Sequence, residues 1–170
     1  MAACAVVAAI VAVSAPMVHA EPGSDRGQSP SRSQRGAGQM PGPAFANPMG
    51  SRPITAVYGE RGPWWYQGRH DGIDYDAETG HPVTHACSGT VQFAGNRGNW
   101  RGNYVLVKCD SGLKLTYAHL SSIKAKDGEV AVLGAVLGAV GSSGNVTGSH
   151  LHVSAEMDGH PVDPAKYIPR

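Results

Sequence analysis

An excess of charge of one sign is missing from this sequence, in which 14 Lys and Arg stand against 13 Asp and Glu for a formal charge of +1. Without a strongly basic face there is no electrostatic case for nucleic acid as a partner, so function has to reside in a localised site. Phenylalanine is nearly absent, with two in 170 residues, and cysteine is scarce, with three. What takes their place is 23 Gly and 12 Pro, which predict many turns between short strands and exclude a helical bundle. A hydrophobic content of 41% suffices for the core of one ordinary domain. No internal repeat stands out, and a monomer is the default expectation.

Residues 1–20 are an apolar run of Ala and Val closing on Val18-His19-Ala20, with small residues where a signal peptidase reads. A signal peptide cleaved before Glu21 is expected, and the chain is then secreted or placed in the cell envelope. The run lacks a basic residue ahead of its apolar stretch, and an uncleaved anchor is the alternative. Only in that case is a membrane a partner. Residues 21–47 are Pro, Gly, Ser, Gln and Arg with almost no large apolar side chain, a composition that cannot fold alone and reads as a flexible linker. Residues 48–170 form the folded domain.

Within that domain the apolar runs are short and β-like: residues 54–58, 83–94 interrupted by Gly89, 104–107 and 113–117. Gly134 and Gly138, with β-branched valines, split residues 130–140 into two short strands instead of a helix. Residues 151–157 give another strand, and Asp163-Pro164 starts a short closing turn of helix. The expected fold is mainly β, a single antiparallel β-sheet domain with little helix. Cys4 leaves with the signal segment, so Cys87 and Cys109 remain as a pair. If residues 89–94 and 103–108 form a hairpin around Asn96-Arg97-Gly98-Asn99, the two cysteines fall opposite each other and a disulfide can close it. Two reduced, half-buried thiols are the alternative, disfavoured by export.

Eight histidines invite a metal reading. His81, His85 and His160 sit in expected loops and read as solvated surface residues. In His70-Asp71-Gly72-Ile73-Asp74 an imidazole and a carboxylate are four positions apart. A straight strand would hold their Cα atoms about 13 Å apart, so Gly72 must either bend the chain or permit close approach. In His150-Leu151-His152 the two imidazoles share one face of a strand while Leu151 points to the core. His119, in Tyr117-Ala118-His119-Leu120, ends a strand and becomes a candidate proton carrier once a metal is near. The Trp64-Trp65-Tyr66 cluster either lines a substrate groove or plugs the underside of its loop.

In this order the motifs resemble the lysostaphin and LytM-type zinc metallopeptidases, which are marked by an H-x-x-x-D segment, a later strand-end His and a C-terminal H-x-H. The similarity runs from about residue 50 to 168 and includes Gly102-Asn103-Tyr104-Val105, Gly141-Ser142-Ser143-Gly144 and Pro161-Val162-Asp163-Pro164. The resemblance implies a zinc endopeptidase acting on the peptide of bacterial peptidoglycan. It implies one zinc ion held by His70, Asp74 and His152, with His119 and His150 as the catalytic pair. Three protein ligands leave a fourth position open, as catalytic zinc requires. One departure concerns the acidic residue that the family often carries two positions after H-x-H. Ser154 stands there, and Glu156 comes two residues late. The alternative reading is a non-catalytic wall-binding or regulatory module that activates other hydrolases, as degenerate members do after losing ligands. All five site residues are kept here.

Overall fold

The structure, a computed structural model, describes residues 44–170. The expected signal peptide and residues 21–43 of the expected linker lie outside the described residues. The strands are β1 (Ile54–Ala56), β2 (Gly72–Asp76), β3 (Pro82–Thr84), β4 (Gly89–Asn96), β5 (Asn103–Cys109) and β6 (Lys114–Ala118). They continue with β7 (Leu120–Ile123), β8 (Val130–Ala131), β9 (Val136–Val140), β10 (His150–Met157) and β11 (His160–Val162). Helix is limited to two 3₁₀ turns, Tyr66–Gly68 and Pro164–Lys166, among the described residues, and no helix there is long and apolar enough to cross a membrane. The mainly antiparallel β fold expected from sequence is the fold observed.

The large sheet runs β1-β2-β10-β6-β5-β4-β8, with β11 folding back on the end of β10, and a smaller sheet runs β3-β9-β7. Every pairing is antiparallel. Alternation decides which side of the large sheet is apolar. Ile73, Tyr75, Val105, Val107, Leu115, Tyr117, Leu151 and Val153 join Val83, Leu120, Leu137 and Val140 from the smaller sheet in one buried cluster. The smaller sheet thus covers one face of the larger. Asp74 and His152 alternate with core residues on their strands and occupy the opposite face.

One expectation needs correction. The β4–β5 ladder pairs Gly89 with Cys109 and Asn96 with Asn103, with a register shift between Val91 and Phe93. Its connection is therefore residues 97–102, shorter than the 95–102 left between the expected strands because β4 runs on to Asn96, and the register is displaced from the one that would set the cysteines opposite each other. Cys87 still bonds Cys109, with Cα atoms 5.8 Å apart, but from just ahead of β4 and not as an in-register partner. The described end of the expected linker also packs on the domain. Phe45 packs on Tyr167 with ring centroids 5.8 Å apart, and the Ala46 amide donates to the Ala86 carbonyl at 2.8 Å. A single aromatic residue in a polar stretch is enough to anchor the chain there.

Candidate metal centre

Strands β2 and β10 pair so that Asp74 lies opposite His152, and Gly72 opposite Ser154. His70 precedes β2 and is held by the loop that closes behind it. The His70 amide donates to the Glu60 carbonyl at 2.8 Å, the Gly59 amide to the His70 carbonyl at 2.9 Å, and Arg61 bridges Arg69. The ring Nδ1 is 3.0 Å from the Val57 carbonyl, so it carries the proton and leaves Nε2 as a free electron pair. Gly72 acts through close approach. A Cβ there would lie 2.3 Å from the Val153 carbonyl oxygen and 2.7 Å from Cε1 of His152. The imidazole can lie across β2 only because that atom is missing.

Three donor atoms converge. His70 Nε2 is 3.1 Å from His152 Nδ1 and 3.2 Å from Asp74 Oδ1, and His152 Nδ1 is 2.8 Å from the same Oδ1. Zinc with tetrahedral bonds of about 2.0–2.1 Å would set such donors about 3.3 Å apart. All three residues are buried, and their donor set of two imidazoles and one carboxylate suits zinc. Burial works against the charge on Asp74, but the adjoining His152 and His70 outweigh it and hold the carboxyl well below its usual range. Burial likewise opposes charge on His152, and Asp71 and Asp74 together overcome it, raising its pKa.

His119 and His150 face this triangle. Ring centroids of His119 lie 4.9 Å from His150 and 5.9 Å from His152, and His150 Nε2 is 4.0 Å from Asp74 Oδ1. His119 adopts a left-handed backbone (φ 65°), fixed by its amide donating to the Arg101 carbonyl at 3.0 Å. Its Nδ1 is 2.9 Å from the Ser143 carbonyl, and that of His150 is 3.0 Å from the Gly148 carbonyl. Each ring therefore donates from Nδ1 and keeps a basic Nε2. Burial pushes the His119 pKa down to about 4, against the upward pull of the Ser143 carbonyl. The Ser143 carbonyl is aimed by two glycines: a Cβ on Gly102 would lie 2.4 Å from Ser143 C, and one on Gly144 2.3 Å from the Trp100 carbonyl oxygen. Two loops thus touch backbone to backbone where the sequence has Gly102 and Gly144.

A cleft of about 1010 Å³ opens over the site and is lined by Trp64, Trp65, Trp100 and residues 145–150 among others. Trp65 stacks on His70 with centroids 4.1 Å apart and planes at 23°, while Trp64 is 70% exposed. Of the expected cluster, both tryptophans line the cleft, and the side chain of Tyr66 lies outside the described residues. Trp100, unremarked in the sequence, meets His152 edge-on at 5.4 Å and His119 at 5.9 Å. Its place in a turn beside Gly102 was the available signal. Asp71 was also passed over, and its Oδ1 lies 3.3 Å from His152 Nε2. Glu156 is engaged elsewhere, with Lys114 at 2.7 Å.

The remaining histidines among the described residues stand apart from this site. His160 is exposed, as expected, but begins β11 and does not sit in a loop, and His81 is half-buried beside Arg52 at 3.2 Å. His85 is not solvated: it is 5% exposed, because its backbone pairs with Ala135 and Gly134 and draws the ring inward, and burial lowers its pKa. A neighbouring proline or glycine did not report that pairing.

The model of peptidase family M23 matches residues 68–164. The chain is 43% identical over 95 residues, 56% of its length and 22% of the relative's, to the DD-carboxypeptidase/endopeptidase Mpg of Neisseria meningitidis serogroup B. It is 35% identical over 97 residues, 57% of its length and 22% of the relative's, to the peptidoglycan DD-endopeptidase ShyA of Vibrio cholerae. Both alignments span about a fifth of the relative. The catalytic domain of the antimicrobial peptidase lysostaphin from Staphylococcus simulans superposes with a TM-score of 0.65 at 27% identity, covering 68% of this chain and 91% of that one. The family match spans the whole of the site, from the residues before His70 to those after His152, and the chain belongs to peptidase family M23.

Proposed function

We propose that this chain is an exported zinc-dependent endopeptidase that hydrolyses peptide bonds in bacterial peptidoglycan, in the stem peptide or the cross-bridge. One observation carries the reading: three buried donor atoms within 3.2 Å of one another, faced by two further imidazoles whose Nε2 atoms are free. His70, Asp74 and His152 would hold a single zinc, whose Lewis acidity would polarise the scissile carbonyl. His119, neutral down to about pH 4, is a proton acceptor at neutral pH and later a donor to the leaving amine. His150, with its Nε2 turned to the same space, shares that work or donates to the developing oxyanion. Trp64 and Trp65 flank the cleft where a peptide would lie.

The name of ShyA supports a peptidoglycan peptide as substrate, and that of Mpg supports endopeptidase activity. The apolar residues 1–20 and the Cys87–Cys109 disulfide support a secreted or cell-envelope location. A non-catalytic regulatory role finds less support, since every ligand and both free imidazoles are in place. The test is mass spectrometry of fragments released from defined peptidoglycans, with and without a chelator. Cleavage of a peptide bond that stops with chelator and returns with zinc is expected. Intact substrate in the presence of zinc would overturn the proposal.

A further inference from the structure

Among the described residues, Nε2 of His152 is buried without a hydrogen-bond partner. The ring turns Nδ1 toward Asp74 and His70, so if Nδ1 binds the metal, the neutral imidazole must carry its proton on Nε2. A ligating histidine ordinarily donates that proton to a carboxylate, a carbonyl or water, which fixes the tautomer and the ring's orientation. Ser154, on the same face of β10 and opposite Gly72, leaves Nε2 unsatisfied, and Glu156 is bound to Lys114. Asp71 is the carboxylate within reach. Its Oδ1 lies 3.3 Å from Nε2, short of a well-formed hydrogen bond but separated from one by a small rotation of a side chain that is 43% exposed.

We infer that Asp71 is the positioning residue for His152, accepting a hydrogen bond from its Nε2 at the position just ahead of β2, in place of an acidic side chain at position 154 on β10. The backbone permits the exchange. Gly72 has no Cβ, and one built there would be 2.9 Å from Nε2, so the ring edge rests directly over the strand. The residue before Gly72 reaches that nitrogen, and the residue paired with Gly72 follows His152 by two on the same face of β10, so a carboxylate at either position is placed on the ring's side of the ladder. The inference rests on the reading of His70, Asp74 and His152 as zinc ligands.

The experiment is zinc competition against a chromophoric chelator with the full chain. Wild type should take up one zinc and His70→Ala should not, which tests the ligand reading by itself. Given that result, Asp71→Asn should bind zinc 10- to 100-fold more weakly, and Asp71→Asn/Ser154→Glu should recover most of the loss. Unchanged affinity in Asp71→Asn overturns the inference while leaving the ligand set intact. A loss that Ser154→Glu does not restore overturns it as well, because a carboxylate on β10 would then not replace the one at position 71. A second readout is independent of affinity. In zinc-loaded protein the Nε2 proton of His152 should be seen by long-range ¹H–¹⁵N spectroscopy and should exchange with water faster in Asp71→Asn; equal exchange rates would also sink the idea.

Discussion

Asp74 and His152 face each other across the β2–β10 ladder, and the 2.8 Å between Oδ1 and Nδ1 joins two of the proposed ligands, 78 residues apart in sequence. Ladder register, not loop geometry, sets this half of the site. The pairing tolerates no side chain at Gly72, where a Cβ would strike the Val153 carbonyl and the His152 ring. Gly72→Ala is expected to destabilise the domain by about 1–3 kcal/mol and to lower zinc content. Thermal melting with metal analysis checks both, and full zinc occupancy in that variant would show that the close approach is dispensable.

His119 requires a variant suited to its backbone. At φ 65° an alanine would add strain of its own, whereas asparagine enters the left-handed region more readily. His119→Asn should keep the fold and bound zinc and lose hydrolysis by about 10²- to 10⁴-fold, the range for a removed general base or acid. Turnover on a defined muropeptide, measured beside zinc content, separates the two effects. Wild-type turnover in this variant would remove His119 from the chemistry.

Much of this was legible in the sequence, for a physical reason. His150 and His152 lie on one strand, where a period of two puts both rings on one face and Leu151 in the core, so three adjacent residues suffice to state their geometry. The fold class followed from the same short alternations. What was hidden depends on contacts distant in the chain. Strand β2 was not marked out, because Gly-Ile-Asp-Tyr-Asp has no apolar run, yet it pairs with both β1 and β10. Trp100 and Asp71 reach His152 only through loop docking and ladder register, and the burial of His85 follows from backbone bonds to residues 134 and 135. No local pattern carries these.

The low pKa of His119 makes stability depend on pH with a definite sign. Burial holds its folded value at about 4 against 6.5 for a free imidazole, so between those values the unfolded chain binds more protons. The contribution is complete above about pH 6.5 and is lost as pH falls toward 4; it is worth at most about 3 kcal/mol. Urea unfolding of chelated protein between pH 4.5 and 7 should show a steeper acid loss in wild type than in His119→Asn. Parallel pH profiles would mean that the imidazole is not held neutral.

The Cys87–Cys109 bond joins residues 22 apart in sequence on the side of the domain built by the β4–β5 hairpin. Its loss should cost about 3 kcal/mol on the loop-entropy estimate. Denaturant unfolding of a Cys87→Ser/Cys109→Ser variant would measure that. Because neither cysteine touches the donor triangle, zinc affinity at low temperature should be unchanged. A parallel fall in zinc affinity would show that the hairpin also props the site.

The two tryptophans of the aromatic cluster are expected to separate. Trp65 stacks on His70 at 4.1 Å, so it supports a proposed ligand, whereas Trp64 is 70% exposed and meets Trp65 edge-on at 6.5 Å. A largely exposed ring contributes little to the core, and at the rim of a cleft it offers a flat face to a peptide. Trp64→Ala should raise KM several-fold with kcat and melting temperature close to wild type, as removal of uniform substrate binding predicts. Trp65→Ala should instead lower the melting temperature and weaken zinc. If Trp64→Ala lowered stability and left KM untouched, its ring would belong to the packing of the loop and not to the substrate groove.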